Sequence, residues 1–362
     1  MNSPHTQHMR FRAARLSPVS RKQTLLKIQN GETTDTELLG ANHIPRIEYL
    51  TIGEYQDQGF FSKILTHMPR SVQAFFLLLR LFKYDFVIAQ DNPLMGYIVS
   101  LCHRILHVKT KWLYVSMSSS TLIRRHKNHP VRLFLLKKFW TSFAHIICIS
   151  SEQIDDFVRL GVPRDHLTFI PYGIDARFFQ SADSPHTEEL IASIGRDMGR
   201  DYPTLFKAAE RSTHKFSVFA GQKNIPPGTS IPPNVSVLYN KGNVDVRDLY
   251  THTRIVAVVS KDIDIPDGSD CSGQTVILEA LAAGKAVIAT HRPWMTDYLV
   301  DGEDFVVVPP NDPDAINRAI DSLWDDTEKR KRLVASGYQK VIARYTTKAF
   351  AEALLALMHS FV

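Results

Sequence analysis

The feature that most constrains this chain is a rhythm of short apolar, largely β-branched runs, each followed by a stretch with helical spacing, and the whole series occurs twice. The first series reads TLLKIQ (24–29), RIEYLTI (46–52), YDFVIAQ (84–90), KWLYVSM (111–117), AHIICIS (144–150) and HLTFIP (166–171). The second reads LIASIGR (190–196), FSVFAG (216–221), VSVLYN (235–240), RIVAVVS (254–260), AVIAT (286–290) and FVVVPP (305–310). Runs without polar alternation need cover on both faces, as strands of a parallel sheet between helices have. An α/β fold follows. Between the two series, SADSPHTEE (181–189) is polar and aperiodic, and a chain of 362 residues exceeds what one core usually organises. The expected division is a basic tail over 1–22, a first domain over 23–180, a second over 181–345 and a closing helix over 346–362, where TTKAFAEALLALMHSFV has helical apolar spacing.

Hydrophobic residues at 44% and charged residues at 22% describe an ordinary soluble protein. The basic N-terminus has no apolar core, and AFFLLLRLF (74–82) is short and broken by Arg80, so neither a signal peptide nor a spanning helix is expected. Cys102, Cys148 and Cys271 stand far apart, which fits a cytoplasmic protein and no metal or redox motif. No G-x-G-x-x-G, P-loop or EF-hand pattern is present, so no metal and no resident cofactor are expected. Residues 1–176 carry 22 Lys and Arg against 13 Asp and Glu, the remainder 21 against 24. Such asymmetry draws an anionic partner to the first half. Nucleic acid lacks a motif, whereas 60–83 and VRLFLLKKFW (131–140) mix large apolar with basic residues. They are either core helices with cationic outer faces or peripheral contacts with an anionic membrane at its inner face.

Two constellations could carry chemistry. In SIGRDMGRDYPTL, Arg196 and Arg200 follow an expected strand and precede an expected helix; they are either solvated loop cations or a pair facing one anion. In DGSDCSGQTVILEALAAGKAVIAT (267–290) a polar loop leads into a helix starting near Ser272 to Gln274. The N–H groups of Gly273, Gln274 and Thr275 would then be free to bind an anion. Glu279, further along that helix, is either solvated or an acceptor for sugar hydroxyls. His126 and His129 in RRHKNHP are either hydrated surface or an acceptor contact.

Taken together, ISSEQIDDFVRLGVPRDHLTFIPYGID (149–175), the IGR after the first strand of the second series, LEALAAGKAVIAT (278–290) and DG followed by VVVPPNDPDAINRAI (306–320) resemble the retaining glycosyltransferases of family 4. The resemblance implies a GT-B fold, two Rossmann-like domains with parallel sheets facing across a cleft. It implies a hexosyltransferase-like, metal-independent enzyme of polysaccharide or glycolipid biosynthesis, taking a nucleotide-sugar donor and a saccharide or lipid-linked acceptor. An epimerase using nucleotide sugars, or a non-catalytic scaffold of the same fold, are the rival readings.

By the same resemblance Arg196 and Arg200 bind the donor diphosphate, and Glu279 is the second glutamate of an E-x(7)-E motif, placed to hold the ribose. The first glutamate falls at Cys271, so the motif is broken. Sugar-facing contacts are then left to Ser272, Gln274, Thr275 and backbone amides, or to a shifted Asp270. Ser116 and Ser118 to Ser120 stand where many members carry a histidine. Gly31 matches the glycine turn after the first strand; glycine also simply punctuates turns.

Overall fold

A computed structural model of the chain describes residues 11–17, 21–51, 83–90, 109–180, 189–265 and 267–362. Cys102, the apolar segment within 60–82, the first ten residues of the basic tail and 181–188 of the linker lie outside the described residues.

The first sheet contains β1 (Ala13–Ser17), β2 (Glu48–Thr51), β3 (Phe86–Gln90), β4 (Lys111–Ser116), β5 (His145–Cys148) and β6 (Leu167–Phe169), ordered β2-β1-β3-β4-β5-β6. The second contains β7 (Leu190–Gly195), β8 (Lys215–Ala220), β9 (Val235–Tyr239), β10 (Thr253–Val258), β11 (Ala286–Thr290) and β12 (Val306–Val308), ordered β12-β11-β10-β7-β8-β9. Every pairing between these strands is parallel. Strands β5 and β11 are buried at each position, as sequences without alternation require.

The helices are α1 (Arg21–Gln29), α2 (Ser119–Arg125), α3 (Pro130–Trp140), α4 (Ser151–Leu160), α5 (Ala176–Phe179), α6 (Tyr202–Ala209), α7 (Asn243–Thr251), α8 (Gln274–Ala282), α9 (Pro313–Asp325), α10 (Thr327–Arg344) and α11 (Thr347–His359). Several open on side-chain caps that take up a first-turn N–H: Asp201 on α6, Asp312 on α9, Asp326 on α10 and Thr346 on α11.

Two expectations fail at the N-terminus. TLLKIQ is not a strand but most of α1, and the first strand lies earlier, within the expected tail. Its residues are mainly good helix formers, and much of the helix surface stays in solvent, with Leu26 57% exposed. The strand position goes to AARLS, where Arg15 is itself buried at 1% exposure and donates to the Glu37 carbonyl at 2.7 Å. The segment after α1 that contains TDTELLGA forms two single 3₁₀ turns, Thr36–Leu38 and Ala41–His43.

The chain crosses between the domains twice, and the crossings touch: Ile174 bridges Thr346, and the Thr347 N–H donates to the Ile174 carbonyl at 3.0 Å. Helix α11 then lies against the first domain. Gly40 there has φ +65°, and a Cβ on it would stand 2.3 Å from the Thr347 carbonyl oxygen. Beyond α11, Phe361 approaches Phe86 and His145, and Lys111 Nζ donates to its carbonyl at 2.6 Å. One apolar cluster includes Leu113 and Val115 of β4 together with Ala192, Val256 and Leu278 of the second domain. The domains are therefore packed on one another, not strung on a linker.

Candidate functional site

In the second sheet the strand order reverses at β7 and β10, and loops leaving two such strands diverge to open a crevice. The β7 loop carries Arg196 and Arg200; the β10 loop runs into α8. Backbone bonds tie them, from the Asp201 N–H to the Val259 carbonyl at 3.1 Å and from the Lys261 N–H to the Gly199 carbonyl at 2.8 Å. Asp197 Oδ2 also accepts from the Ser269 N–H at 2.8 Å.

Above this switch point lies a cavity of about 240 Å³ between the domains. Arg196, Lys241, Asn243, Thr275, Val276 and Glu279 line it from the second domain, and Thr34, Thr36 and Glu37 from the first. Arg196 is exposed at its edge. Glu279 keeps partial access to solvent through the cavity and is otherwise enclosed by protein. That burial raises its pKa to about 8, against the opposing pull of Arg200.

Arg200 does not line the cavity. It is buried at 2% exposure behind the start of α8, with Nη2 donating to the Ile194 carbonyl at 2.5 Å and Nε and Nη1 without a partner. Burial lowers its pKa. Gly273 makes room for it: a Cβ there would meet Val258 Cγ1 at 2.7 Å and Arg200 Nη1 at 3.2 Å, on a backbone with φ +91°.

The loop before α8 departs from expectation at several points. The Gln274 N–H is not free for an anion, because it donates to the Cys271 carbonyl at 3.0 Å. Cys271 faces the core at 7% exposure, and burial pushes its thiol pKa well up, so it is a neutral packing group. Asp270 is likewise turned from the cavity, its carboxylate accepting from the Ser120 and Thr121 N–H groups of the first domain. Ser272 and Gln274 are buried outside the cavity lining, leaving Thr275 as the residue of that group that reaches it.

Gly31 is also corrected. It does not follow the first strand; it ends α1 with φ +69°, donating to the Ile28 carbonyl at 3.0 Å in the left-handed turn that closes many helices. It lines a second, larger cavity of about 1260 Å³ with Asp35, His43, Asp175, Arg247 and Thr347. That space sits where the chain crosses between domains and holds neither Arg196 nor α8, so its size does not make it the reaction site. Segment 33–36 walls off the two cavities, Thr34 and Thr36 facing one and Thr33 and Asp35 the other. Asn243 Nδ2 closes the wall by donating to Thr33 Oγ1 at 2.8 Å.

Ser116, Ser119 and Ser120 are buried at the end of β4 and the start of α2. His126 and His129 stand together near the surface, 6.0 Å between rings, and His126 meets Arg132. Thr34, Thr36, Glu37 and Lys241 carry no motif; Lys241 alone had a signal, its place just after a strand of the sheet that forms the crevice. Among the described residues no cluster of His, Cys, Asp and Glu is arranged to hold a metal, and no helix is long and apolar enough to cross a membrane.

Residues 41–178 match the family model described as Glycosyltransferase Family 4, and residues 177–340 the model described as Glycosyl transferases group 1. The lipopolysaccharide core biosynthesis glycosyltransferase LpsE of Rhizobium meliloti (strain 1021) is 31% identical over 180 residues, 49% of this chain and 52% of LpsE. The match thus spans about half the length of that relative. Among solved structures, Anabaena Alr3699/HepE in complex with UDP and glucose superposes with a TM-score of 0.71 at 14% identity, over 97% of this chain and 100% of that one. Sucrose-phosphate synthase from Thermosynechococcus elongatus gives 0.69 at 18% identity, over 97% and 99%. These likenesses show a common GT-B fold.

Proposed function

The chain belongs to glycosyltransferase family 4, and from that premise we propose that it moves a sugar from a nucleotide-diphosphate donor to an acceptor hydroxyl with retention of anomeric configuration. The observation that carries this reading is the convergence of Arg196, the first turn of α8 and Glu279 on one interdomain cavity at the switch point of the second sheet.

In this reading Glu279 accepts hydrogen bonds from the ribose hydroxyls, while Arg196 and the N-terminal end of α8 face the diphosphate. Buried Arg200 adds positive charge from behind. The acceptor oxygen attacks the anomeric carbon on the face from which the diphosphate leaves. The C–O bond to phosphate breaks with its electron pair going to the phosphate oxygen, which also takes the acceptor's hydroxyl proton. No covalent nucleophile takes part, which suits the neutral thiol at Cys271. The arginines and helix terminus supply the positive charge in this scheme, so no metal and no cofactor are invoked. Anabaena HepE has been solved with UDP and with UDP-glucose, which favours a UDP-sugar donor here.

A panel of UDP, GDP, ADP and their sugar conjugates in a thermal-shift measurement tests the donor site, since a ligand bound only by the native state must raise its melting temperature. One nucleotide family is expected to do so. No shift from any of them sinks the reading, and product formed from the nucleotide sugar without acceptor transfers it to an epimerase.

The LpsE relative, a lipopolysaccharide core biosynthesis glycosyltransferase, supports a saccharide or lipid-linked acceptor, and we propose that it is met at the inner face of a membrane. Helix α3 supplies a fitting surface, with Val131 72%, Phe134 57% and Leu135 48% exposed beside Arg132, Lys137 and Lys138. The protein is expected to sediment with vesicles containing phosphatidylglycerol more than with pure phosphatidylcholine, and Phe134→Ser to weaken this. Equal, negligible sedimentation with both removes the membrane from the proposal.

A further inference from the structure

Asp270 stands in the second domain by sequence, but its carboxylate is bonded to the first. It is 8% exposed. Oδ2 accepts from the Ser120 N–H at 2.8 Å and from Gln153 Nε2 at 2.7 Å, and Oδ1 from the Thr121 N–H at 2.6 Å. Ser120 and Thr121 lie in the first turn of α2, where N–H groups have no partner within the helix. The N-cap residue Ser118 makes no side-chain cap. A carboxylate from the opposite domain thus does what a capping side chain does, and its negative charge suits the helix N-terminus. Its own N–H donates back, to the Met117 carbonyl at 3.3 Å.

On its other side Asp270 is fixed to the donor machinery. The Ser272 N–H donates to the Ser269 carbonyl at 3.3 Å, Ser269 is held by Asp197 in the β7 loop, and α8 begins just beyond with Thr275 on the cavity. Only a few residues thus separate the contact with α2 from the start of α8.

We propose that Asp270 is a positioning residue, a latch by which α2 and α4 of the first domain hold the start of α8 in the arrangement that binds donor. This rests on reading the cavity as the donor site. It also accounts for the broken motif: the carboxylate beside Cys271 serves the domain interface instead of the sugar.

The latch can be broken from either side. Asp270→Ala removes the acceptor and leaves two helix N–H groups buried and unpaired. Gln153→Glu keeps the oxygen that accepts from the Ile149 N–H at 2.8 Å but puts a second carboxylate against Asp270, within the first domain and away from the cavity. Each variant should raise the donor KM about tenfold or more, about 1.4 kcal/mol of binding, with kcat at saturating donor little changed. Effects through one contact do not add, so the double variant should be no worse than the more damaged single. Small-angle scattering without ligand should show a larger radius of gyration in both, which a local loss of packing would not produce. If Asp270→Ala does not fold, Asp270→Asn and Gln153→Glu carry the test. Folded variants with wild-type donor KM and radius of gyration overturn the latch, as does lost kcat at unchanged KM. Should the wild type bind no nucleotide at all, the donor reading falls while the scattering still decides the latch.

Discussion

Arg196→Ala should lower turnover by about 10²–10³-fold, the scale on which a single preorganised group facing developing negative charge contributes to catalysis. Arg196 is exposed at the cavity edge, so the fold should change by no more than about 0.5 kcal/mol. Arg196→Lys keeps the charge but loses the planar fork that meets two phosphate oxygens at once, and should fall between the two. Steady-state rates with saturating acceptor, paired with melting curves, check this. A folded alanine variant with near-normal turnover would remove Arg196 from the transition state and leave the helix terminus and Arg200 to account for leaving-group stabilisation.

Nucleotide affinity should rise with pH up to about 8 and then flatten, and Glu279→Gln should abolish that slope. With its pKa near 8, Glu279 is mostly protonated in the free protein at neutral pH. Ribose hydroxyls donate to the ionised form and stabilise it, so binding expels a proton below that value. Calorimetry in buffers of different ionisation enthalpy would register this release; binding with no proton exchange at pH 7 would separate Glu279 from the nucleotide. Folding supplies an independent check. The folded pKa lies above the unfolded one, so this group's contribution to stability is fully present below about 4.3 and is lost as pH rises through about 8. The Gln variant has no charge to bury and should melt higher than wild type at pH 9, with the gap closing toward pH 5.

The alternation of strand and helix was legible because parallel strands must be apolar on both faces, and all but one of the strand segments expected from it form strands. The exception shows what such patterns read. TLLKIQ has the apolar content of a strand and forms a helix, whereas AARLS is a strand interrupted by a buried arginine whose partner, the Glu37 carbonyl, comes from a distant turn. At the site, Arg196 and the start of α8 could be found because their backbone context, strand then loop then helix, is local. Thr34, Thr36 and Glu37 reach the cavity from the other domain, which no local pattern encodes. Cys271 and Asp270 show the same limit in side-chain direction. Residue type marks the loop as polar, but contact with α2 and α4 decides that its carboxylate points across the interface.

The first domain's apolar layer is finished by residues made long after the rest of it. Phe361 packs on Phe86 and His145, and its carbonyl receives Lys111 across a separation of 250 residues. During synthesis the emerging sheet must therefore wait, with that flank bare, for the whole second domain to leave the ribosome. Nascent chains stalled anywhere before α11 present a half-built surface, the kind of transiently exposed apolar flank on which incompletely folded chains aggregate.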